Sequence, residues 1–254
     1  LTAVKNAPGV VDVIVQSDIP GKVDVAPVYS GDPLLAGDLV EFIGQPIFAV
    51  AATSFEVAQR AVLLARIEYD ELPAQLTVED SLAAHSFVLP EHQLLLGDPD
   101  TSISTAPHQL SSEIYVRGQE HFYLEGQISE ARLTEDGGIH VISSSQHPTE
   151  LQKLVAEVLA IPFHLVVAEV RRMGGGFGRR AYGSYAYEAA RISQKVKAPI
   201  KLIYSREDDM TYGIYRPMYS ATYRAGFDAN NNLIALHIKG GGVPEHPIHA
   251  NRFP

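Results

Sequence analysis

The chain has 254 residues, a hydrophobic fraction of 46% and a formal net charge of −10, which is an ordinary globular composition. Its 20 Lys and Arg residues against 30 Asp and Glu residues argue against binding along a nucleic-acid backbone, which needs clustered cations. The absence of cysteine excludes disulfides, a thiol nucleophile and an iron–sulfur cluster ligated by this chain.

Two further features concern membranes and the start of the chain. The apolar runs, such as residues 47–52, are much shorter than the roughly 20 residues that cross a bilayer, so we predict no membrane span. The chain begins at Leu1 without an export segment, and we expect a processed form or a piece of a longer protein. We assign it to the cytoplasm, with the periplasm as the alternative.

The first 70 residues predict a small α+β unit. Alternating apolar residues, punctuated by turn residues, predict four strands, at residues 10–15, 39–42, 47–52 and 66–69. Thr53, with Glu56 three residues later, is typical of a capping box, and the apolar residues that follow share one helical face. Strands packed on one amphipathic helix make an α+β unit.

Residues 72–109 lose this periodicity and contain several prolines, so we predict an extended connector between two domains. The predicted boundaries are 1–73 for the first domain, 74–109 for the connector and 110–254 for the second domain.

The second domain alternates strands and helices. Its predicted strands lie at residues 110–116, 128–133, 139–143, 164–170, 200–204, 219–227 and 233–239. One helix is predicted from about Pro148 to Leu159, and another from a glycine run to about Lys197. The fold class of the whole chain is therefore predicted to be α+β.

The glycine run, residues 174–178, stands between a predicted strand and a predicted helix. Glycines let backbone N–H groups approach a ligand, and a helix N-terminus favours an anion. Arg179 stands where the dinucleotide-binding motif requires glycine, and the Lys-Ser/Thr ending of a P-loop is missing. A tight turn and a contact with an anion or cofactor both stay open, although Arg179 and Arg180 favour an anionic ligand.

A polar and aromatic segment, residues 118–125, follows the first strand of the second domain. Its composition places a carboxamide, an imidazole and two carboxylates at the edge of a pocket. The alternative that spacing favours is an alternating strand with Gln119, His121 and Tyr123 on one face. Residues 143–148 either cap the following helix or line the same pocket.

Three weaker patterns carry little chemistry. Residues 245–249 contain two histidines without a third ligand beside them, which disfavours a metal site. The acidic residues 207–209 are predicted to form a solvated turn. No serine lies in a G-x-S-x-G motif, so a triad hydrolase has no local support.

Taken together, these segments resemble the molybdenum-binding subunit of the xanthine dehydrogenase and aldehyde oxidase family. The segments that carry the resemblance keep the family's order along the chain: residues 31–36, 44–50, 68–73, 118–125, 171–178 and 206–210. The resemblance implies a small α/β hammerhead-like domain, incomplete at its N-terminus. The first part of a mixed α+β molybdenum-cofactor-binding domain follows it.

The resemblance also implies the residues of a site. The amide of the matching glutamine hydrogen-bonds an oxygen ligand of molybdenum, and the matching glycine loop lies against the metal's oxo face and the pterin. A lower-weight expectation is that Arg179 or Arg180 pairs with an anionic group. No side chain is expected to bind the metal directly. The residues expected at the cofactor are Gln119, Gly175, Gly176, Phe177, Gly178 and Arg180.

The implied reaction hydroxylates a carbon of an aldehyde, an N-heterocycle or a purine, with water as the oxygen source. The implied cofactor is molybdopterin-bound molybdenum, or its cytosine dinucleotide form. Electrons leave through iron–sulfur clusters and FAD, which must lie on partner chains or domains because this chain has no cysteine. We therefore expect a hetero-oligomer.

Two departures from the family pattern narrow the expectation. Purine-oxidising members continue the glycine loop as Gly-Gly-Lys-Glu, whereas residues 178–181 read Gly-Arg-Arg-Ala, so the purine-binding glutamate is missing. Together with residues 215–218, this resembles the isoquinoline oxidoreductase and bacterial aldehyde oxidase branch, which favours an aldehyde or an aromatic N-heterocycle.

The second departure is extent, since the family's catalytic glutamate lies near the end of a much longer subunit. We therefore expect a piece that does not turn over substrate alone. Two alternatives stay open. One is a non-catalytic assembly or binding protein that retains the scaffold, and the other is a generic phosphate-binding α+β enzyme.

Overall fold

The computed structural model describes residues 1–26, 30–87, 90–178, 180, 184–213 and 215–242. The helices are α1 (Thr2–Lys5), α2 (Phe55–Val62), α3 (Val78–Ala83), α4 (Pro99–Thr105), α5 (Pro148–Leu159), α6 (Ser184–Val196) and α7 (Arg206–Thr211). The strands are β1 (Val10–Val15), β2 (Phe48–Ala52), β3 (His108–Val116), β4 (Ile128–Leu133), β5 (Ile139–Ser143), β6 (Val166–Glu169), β7 (Ile200–Ile203), β8 (Tyr219–Phe227) and β9 (Leu233–Gly242). The α+β class is confirmed.

The chain divides into two compact units, each built from two separate stretches. The first unit comprises Leu1–Asp70 and Glu120–Ile214, and the second comprises Glu71–Gln119 and Tyr215–Pro254. The domain boundaries at residues 73 and 109 stay a prediction.

The first unit contains two sheets. Strands β1 and β2 pair antiparallel, and a four-stranded sheet has the order β6-β5-β4-β7. Within it, β5 and β6 are parallel, and helix α5 makes the crossover between them. Strand β6 leads into the glycine run and α6, so the sheet fixes where the run begins.

Helix α5 begins and ends where its sequence dictates. The Nδ1 atom of His147 accepts a hydrogen bond from the backbone N–H of Glu150 at 3.1 Å, and Pro148 occupies the first turn. Ala160 adopts the left-handed conformation that ends the helix. The buried side chains of α5 share one face, as its periodicity predicts.

The main core lies between helices α5 and α6, the four-stranded sheet and part of the β1–β2 pair. Burying each large apolar side chain contributes about 1.5–3 kcal/mol, so this cluster dominates the stability of the first unit. Its largest members, each at most 4% exposed, are Ile14, Leu34, Leu35, Ile139, Val141, Leu151, Leu154, Val155, Val158, Leu159, Val166, Tyr185, Tyr187 and Ile192.

The second unit is a three-stranded antiparallel sheet of order β3-β8-β9 with helix α4 packed on one face. The helix lies close because Gly226 of β8 has no side chain. A Cβ atom there would be 2.9 Å from the Cβ of Ala106. The Nδ1 atom of His237 on β9 lies 2.9 Å from the carboxylate of Asp100, which also binds Arg224 of β8.

Two strand predictions are wrong. Residues 39–42 and 66–69 form no strand, and most of their large apolar side chains are at least one-third exposed. Alternation of apolar and polar residues indicates that one face of a segment could be buried. It does not show that a neighbouring strand is present to pair with the segment. Strand β1 pairs only with β2 among the described residues. Ser54, and not Thr53, caps α2, because its hydroxyl accepts from the N–H of Val57 at 3.3 Å.

Besides α1, three short helices lie where none was predicted. Helices α3 and α4 lie within the segment predicted to be an extended connector, and α7 contains the acidic residues 207–209 predicted to form a solvated turn. Each begins at a side-chain cap that accepts from the N–H three residues later: Thr77, Asp98 and Ser205. These caps are local signals that a search for long periodicity misses.

An ion-pair cluster connects α6 to the N-terminal strand. The Nζ atom of Lys195 lies 3.2 Å from a carboxylate oxygen of Asp12 and 2.9 Å from one of Asp18. Burial raises the pKa of Asp18, but hydrogen bonds from the N–H of Val15 and from Lys195 outweigh it, so this pKa lies below its ordinary value. Burial lowers the pKa of Lys195, and the two carboxylates raise it by more.

We expect Lys195→Met to weaken the contact between α6 and the N-terminal strand. The free energy of unfolding should then fall less steeply as the pH is lowered. A carboxyl with a lowered folded pKa stabilises the fold above its unfolded pKa of about 3.9, and this contribution is lost as pH falls through the folded pKa. The variant should be about 1 kcal/mol less stable at pH 7 and lose less stability between pH 5 and pH 3. Urea unfolding of both proteins across this range measures the difference.

Lys153→Met is the matched control, because Lys153 pairs with Glu150 on the surface of α5 at 3.2 Å. Between pH 5 and pH 3, the free energy of unfolding of Lys153→Met should change with pH as it does in the parent. The same pH dependence for Lys195→Met and the parent would contradict the role given to Asp18.

Candidate functional site

The glycine loop, residues 174–178, bends sharply between strand β6 and helix α6. Gly175 and Gly178 have φ angles of +109° and +95°, which favour glycine, and Phe177 takes a φ of +54°. A Cβ on Gly175 would lie 2.8 Å from the Cβ of Tyr123, whereas a Cβ on Gly178 would meet no atom of the described residues within 4 Å. The loop therefore packs against Tyr123 at Gly175 and is not packed against the described residues at Gly178.

Glu125 holds the start of the glycine loop. The N–H of Gly174 donates to Oε2 of Glu125 at 2.9 Å, and the N–H of Glu125 donates to the carbonyl of Gly174 at 3.3 Å. A Cβ on Gly174 would lie 2.5 Å from the Cβ of Glu125. The backbones at Gly174 and Glu125 can approach this closely only because Gly174 has no side chain.

Arg180, just after the loop, binds the same glutamate. Its Nη1 atom donates to Oε2 of Glu125 at 2.6 Å, and its Nη2 atom donates to the carbonyl of Glu125 and, at 3.0 Å, to that of Gly126. The guanidinium carbon lies 4.4 Å from the centre of the Tyr123 ring. The Arg180 side chain is fully buried and Glu125 is 35% exposed, so the cation depends on this partner.

Gln146 supports the end of the loop. Its Oε1 atom accepts from the N–H of Gly178 at 2.9 Å and from that of Arg180 at 3.3 Å. Its own N–H donates to the carbonyl of Arg180 at 2.9 Å. A Cβ on Gly176 would lie 2.6 Å from the amide carbon of Gln146. Gln146 therefore contacts Gly176, Gly178 and Arg180, through its side chain and its backbone.

Helix α7 fixes the segment on which the loop rests. Nη2 of Arg206 donates to the carbonyl of Leu124 at 2.7 Å. The hydroxyl of Tyr123 donates to a carboxylate oxygen of Asp209 at 3.2 Å, and the other oxygen accepts from the N–H of Gln127 at 3.4 Å. Tyr123 and Asp209 are 2% and 1% exposed, so this network is internal. Of the acidic residues of α7, Asp209 is therefore buried and Asp208 completes the capping box with Ser205, while Glu207 is exposed.

Gln119 belongs to the second unit, whereas the glycine loop belongs to the first. Its backbone forms an isolated antiparallel bridge with Arg216, with N–H to carbonyl distances of 3.0 Å and 2.9 Å in the two directions. Nη2 of Arg216 also donates to the carbonyl of Arg117 at 3.1 Å. The backbone of Gln119 is thus fixed, and its side chain is exposed.

Residues 118–125 do not form the alternating strand that spacing favours. Gln119 is exposed and Tyr123 is buried, so the two side chains do not share an environment. Phe122 takes a φ of +50°, which breaks an extended run. The capping role predicted for residues 143–148 is confirmed, since His147 caps α5.

Motif reasoning found the loop and the polar segment but missed how they are joined. Glu125 was part of the polar segment without an assigned partner, and Gln146 and Asp209 were assigned to a cap region and a turn. A contact between residues 55 positions apart leaves no local signal. A buried arginine is the physical feature that demands such a partner, yet burial of Arg180 is not visible in the sequence.

Some predicted features lie outside the described residues, namely Arg179 and the histidines of residues 245–249. Within the described ranges, no group of three His, Asp or Glu side chains is arranged to hold a metal ion. None of the helices in that part of the chain combines the length and apolar character that crossing a membrane requires.

Comparisons with known proteins agree on one family. The family model described as molybdopterin cofactor-binding domain matches residues 83–240, and the aldehyde oxidase and xanthine dehydrogenase a/b hammerhead domain matches residues 1–73. Xanthine dehydrogenase/oxidase of Mus musculus is 33% identical over 247 residues, which are 95% of this chain and 18% of that protein. Aldehyde oxidase 3 of Rattus norvegicus is 36% identical over 247 residues, covering 94% of this chain and 18% of the relative.

A solved structure, the aldehyde oxidoreductase from Desulfovibrio gigas, has the same fold. It aligns with a TM-score of 0.83 and 20% sequence identity, over 95% of this chain and 29% of that chain. The chain thus spans about a fifth of the length of the curated relatives it matches.

The close approach at Gly175 and the open space at Gly178 predict different costs for the same substitution. Gly175→Ala should destabilise the chain by about 3 kcal/mol, because it adds overpacking to an unfavourable φ. Gly178→Ala should cost only about 1–2 kcal/mol, because it adds strain without a clash. Urea unfolding of the two variants measures both costs, and equal values would contradict the tight seating of the loop on Tyr123.

Proposed function

Because this chain belongs to the xanthine dehydrogenase and aldehyde oxidase family of molybdenum hydroxylases, we propose that it is one section of such an enzyme's molybdenum-binding subunit. The relatives are molybdopterin-dependent oxidoreductases. At 18% of their length, the chain alone is proposed not to turn over substrate.

The observation that carries this proposal is the two-sided glycine loop. Its inner side is bonded to Glu125 and Gln146, while on its outer side Phe177 is 71% exposed and no described residue lies within 4 Å of where a Gly178 side chain would begin. A flat ligand can therefore lie on the backbone without displacing a side chain. The residues present fit a molybdopterin cofactor in this respect.

We propose that Gly176, Phe177 and Gly178 hold the cofactor through their backbone, and that Gly175 contributes by seating the loop on Tyr123. When bound, molybdopterin-held molybdenum supplies the redox centre for hydroxylating the substrate carbon. A backbone that is already fixed meets the cofactor without reorganising, which is the condition for electrostatic stabilisation. Because the N–H of Gly178 already donates to Gln146, Gly178 is proposed to contact the cofactor by close packing and not through its N–H.

Gln119 is proposed to donate a hydrogen bond from its carboxamide to an oxygen ligand of the metal. Its backbone is fixed by the bridge to Arg216, and its side chain is exposed, so the amide is available to a ligand. A carboxamide stabilises a negatively charged oxygen while staying neutral itself, which makes its effect insensitive to pH near neutrality. The Phe177 side chain is proposed to lie beside the substrate because it is the exposed group at the tip of the loop.

The substrate and the electron path are proposed from chemistry. The sequence Gly-Arg-Arg-Ala at residues 178–181 lacks a purine-binding carboxylate, so an aldehyde or an aromatic N-heterocycle is favoured over a purine. The chain has no cysteine, so iron–sulfur clusters, together with FAD, are proposed to lie on partner chains or domains of a cytoplasmic hetero-oligomer. The cofactor is molybdopterin or its cytosine dinucleotide form.

The direct test is elemental analysis of the complete natural gene product, purified together with the chains encoded beside it. We expect near-stoichiometric molybdenum, and oxidation of aldehydes or N-heterocycles in a panel that also contains purines. A preparation that carries iron but no molybdenum would contradict the proposal and favour a non-catalytic scaffold protein. Nucleotide binding without molybdenum would favour a generic phosphate-binding enzyme.

A further inference from the structure

We propose that Glu125 is a positioning residue for the proposed cofactor site, because its carboxylate binds both the first residue of the glycine loop and Arg180, which follows the loop. This inference rests on the proposed function for the meaning of the loop, but its geometry stands independently. One carboxylate oxygen, Oε2, accepts from the N–H of Gly174 at 2.9 Å and from Nη1 of Arg180 at 2.6 Å.

Two groups that flank the loop are therefore bonded to the same atom. The backbone meets this oxygen at Gly174 and the side chain of Arg180 reaches it from beyond the loop, so the described loop residues 175–178 lie between two contacts with one atom. Closing a short loop by bonds removes most of the conformations that its backbone would otherwise sample. The backbone atoms of Gly176, Phe177 and Gly178 are then held in place before any ligand arrives.

Glu125 can act as an anchor only if it does not follow the loop. Helix α7 supplies this rigidity, because Arg206 bonds the carbonyl of Leu124 and Asp209 bonds Tyr123 and Gln127. These contacts flank Glu125 on both sides along the chain. A shift of the glutamate would break several buried hydrogen bonds together.

An arginine suits this position better than another cation. Its planar fork reaches the Glu125 carboxylate, the Glu125 carbonyl and the Gly126 carbonyl with two nitrogen atoms, which fixes its orientation. A lysine ammonium is a point charge that can keep the bond to the carboxylate but cannot reproduce the fork. Arg180 is thus placed to act through Glu125 on the loop, with its guanidinium fully buried.

The test compares Glu125→Gln, Arg180→Met and the double variant in the complete natural gene product with its partner chains. Amide hydrogen exchange of residues 174–178 and the rate of cofactor release are measured on each. We expect both rates to rise at least about tenfold in either single variant, because Glu125→Gln leaves the buried Arg180 guanidinium without its counter-charge and Arg180→Met removes the cation that holds the Glu125 carboxylate in place. The double variant should be no worse than the worse single variant, since the two residues act as one unit.

Lys195→Met is the matched control, because it breaks another ion pair of the same unit. It should lower the unfolding temperature without changing loop exchange or cofactor release. If Glu125→Gln does not fold, Arg180→Lys replaces it, and we expect an intermediate rise in both rates. Loop exchange that stays at the parent value in the folded variant would overturn the inference.

Amide hydrogen exchange of the loop and the rate of cofactor release together distinguish a failure of this inference from a failure of the proposed function. If the parent protein holds no molybdenum, the proposed function fails, while loop exchange still reports on the role of Glu125. If the parent holds molybdenum and the variants release it at the parent rate, the positioning role is overturned and the proposed function stands.

Discussion

A buried arginine needs a partner, and the site of this protein is arranged around that requirement. Removing the guanidinium of Arg180 from water costs several kcal/mol unless its donors are satisfied. The carboxylate of Glu125 and two backbone carbonyls accept from its two terminal nitrogens beside the start of the glycine loop, while Nε of Arg180 has no hydrogen-bond partner among the described residues. The shape of the loop therefore follows from pairing the charge of Arg180. Glycine at positions 174, 175 and 176 allows this shape, because a Cβ at each would lie too close to Glu125, Tyr123 or Gln146.

The fold supplies the frame in which this pair forms. Strand β6 delivers the chain to the loop from a packed four-stranded sheet, and helix α6 carries it away into the main core. Helix α7 holds the glutamate segment from the other direction. Because the core fixes β6 and α6, the loop between them has little conformational freedom, and this is the preorganisation that the proposed cofactor site requires.

Sequence reasoning reached much of the fold because its signals are local. Periodicity and caps place β4, β5 and α5 within the bounds observed, since each pattern reports on burial of one face. The same reasoning fails for residues 39–42, which have an apolar pattern but no partner strand among the described residues. It also fails for α7, where the Ser205 cap begins a helix in an acidic segment that was predicted to be a solvated turn. The motif segments locate the site, but the partnership of Glu125 with Arg180 joins positions far apart in the chain and leaves no pattern to detect.

The most direct test of this account is an experimental structure of the complete natural gene product with its partner chains and any bound cofactor. We predict that a pterin lies against the backbone of Gly176, Phe177 and Gly178, that the Gln119 carboxamide reaches an oxygen on the metal, and that Arg180 stays bonded to Glu125. A cofactor bound elsewhere, or an Arg180 turned away from Glu125 toward the ligand, would contradict the account.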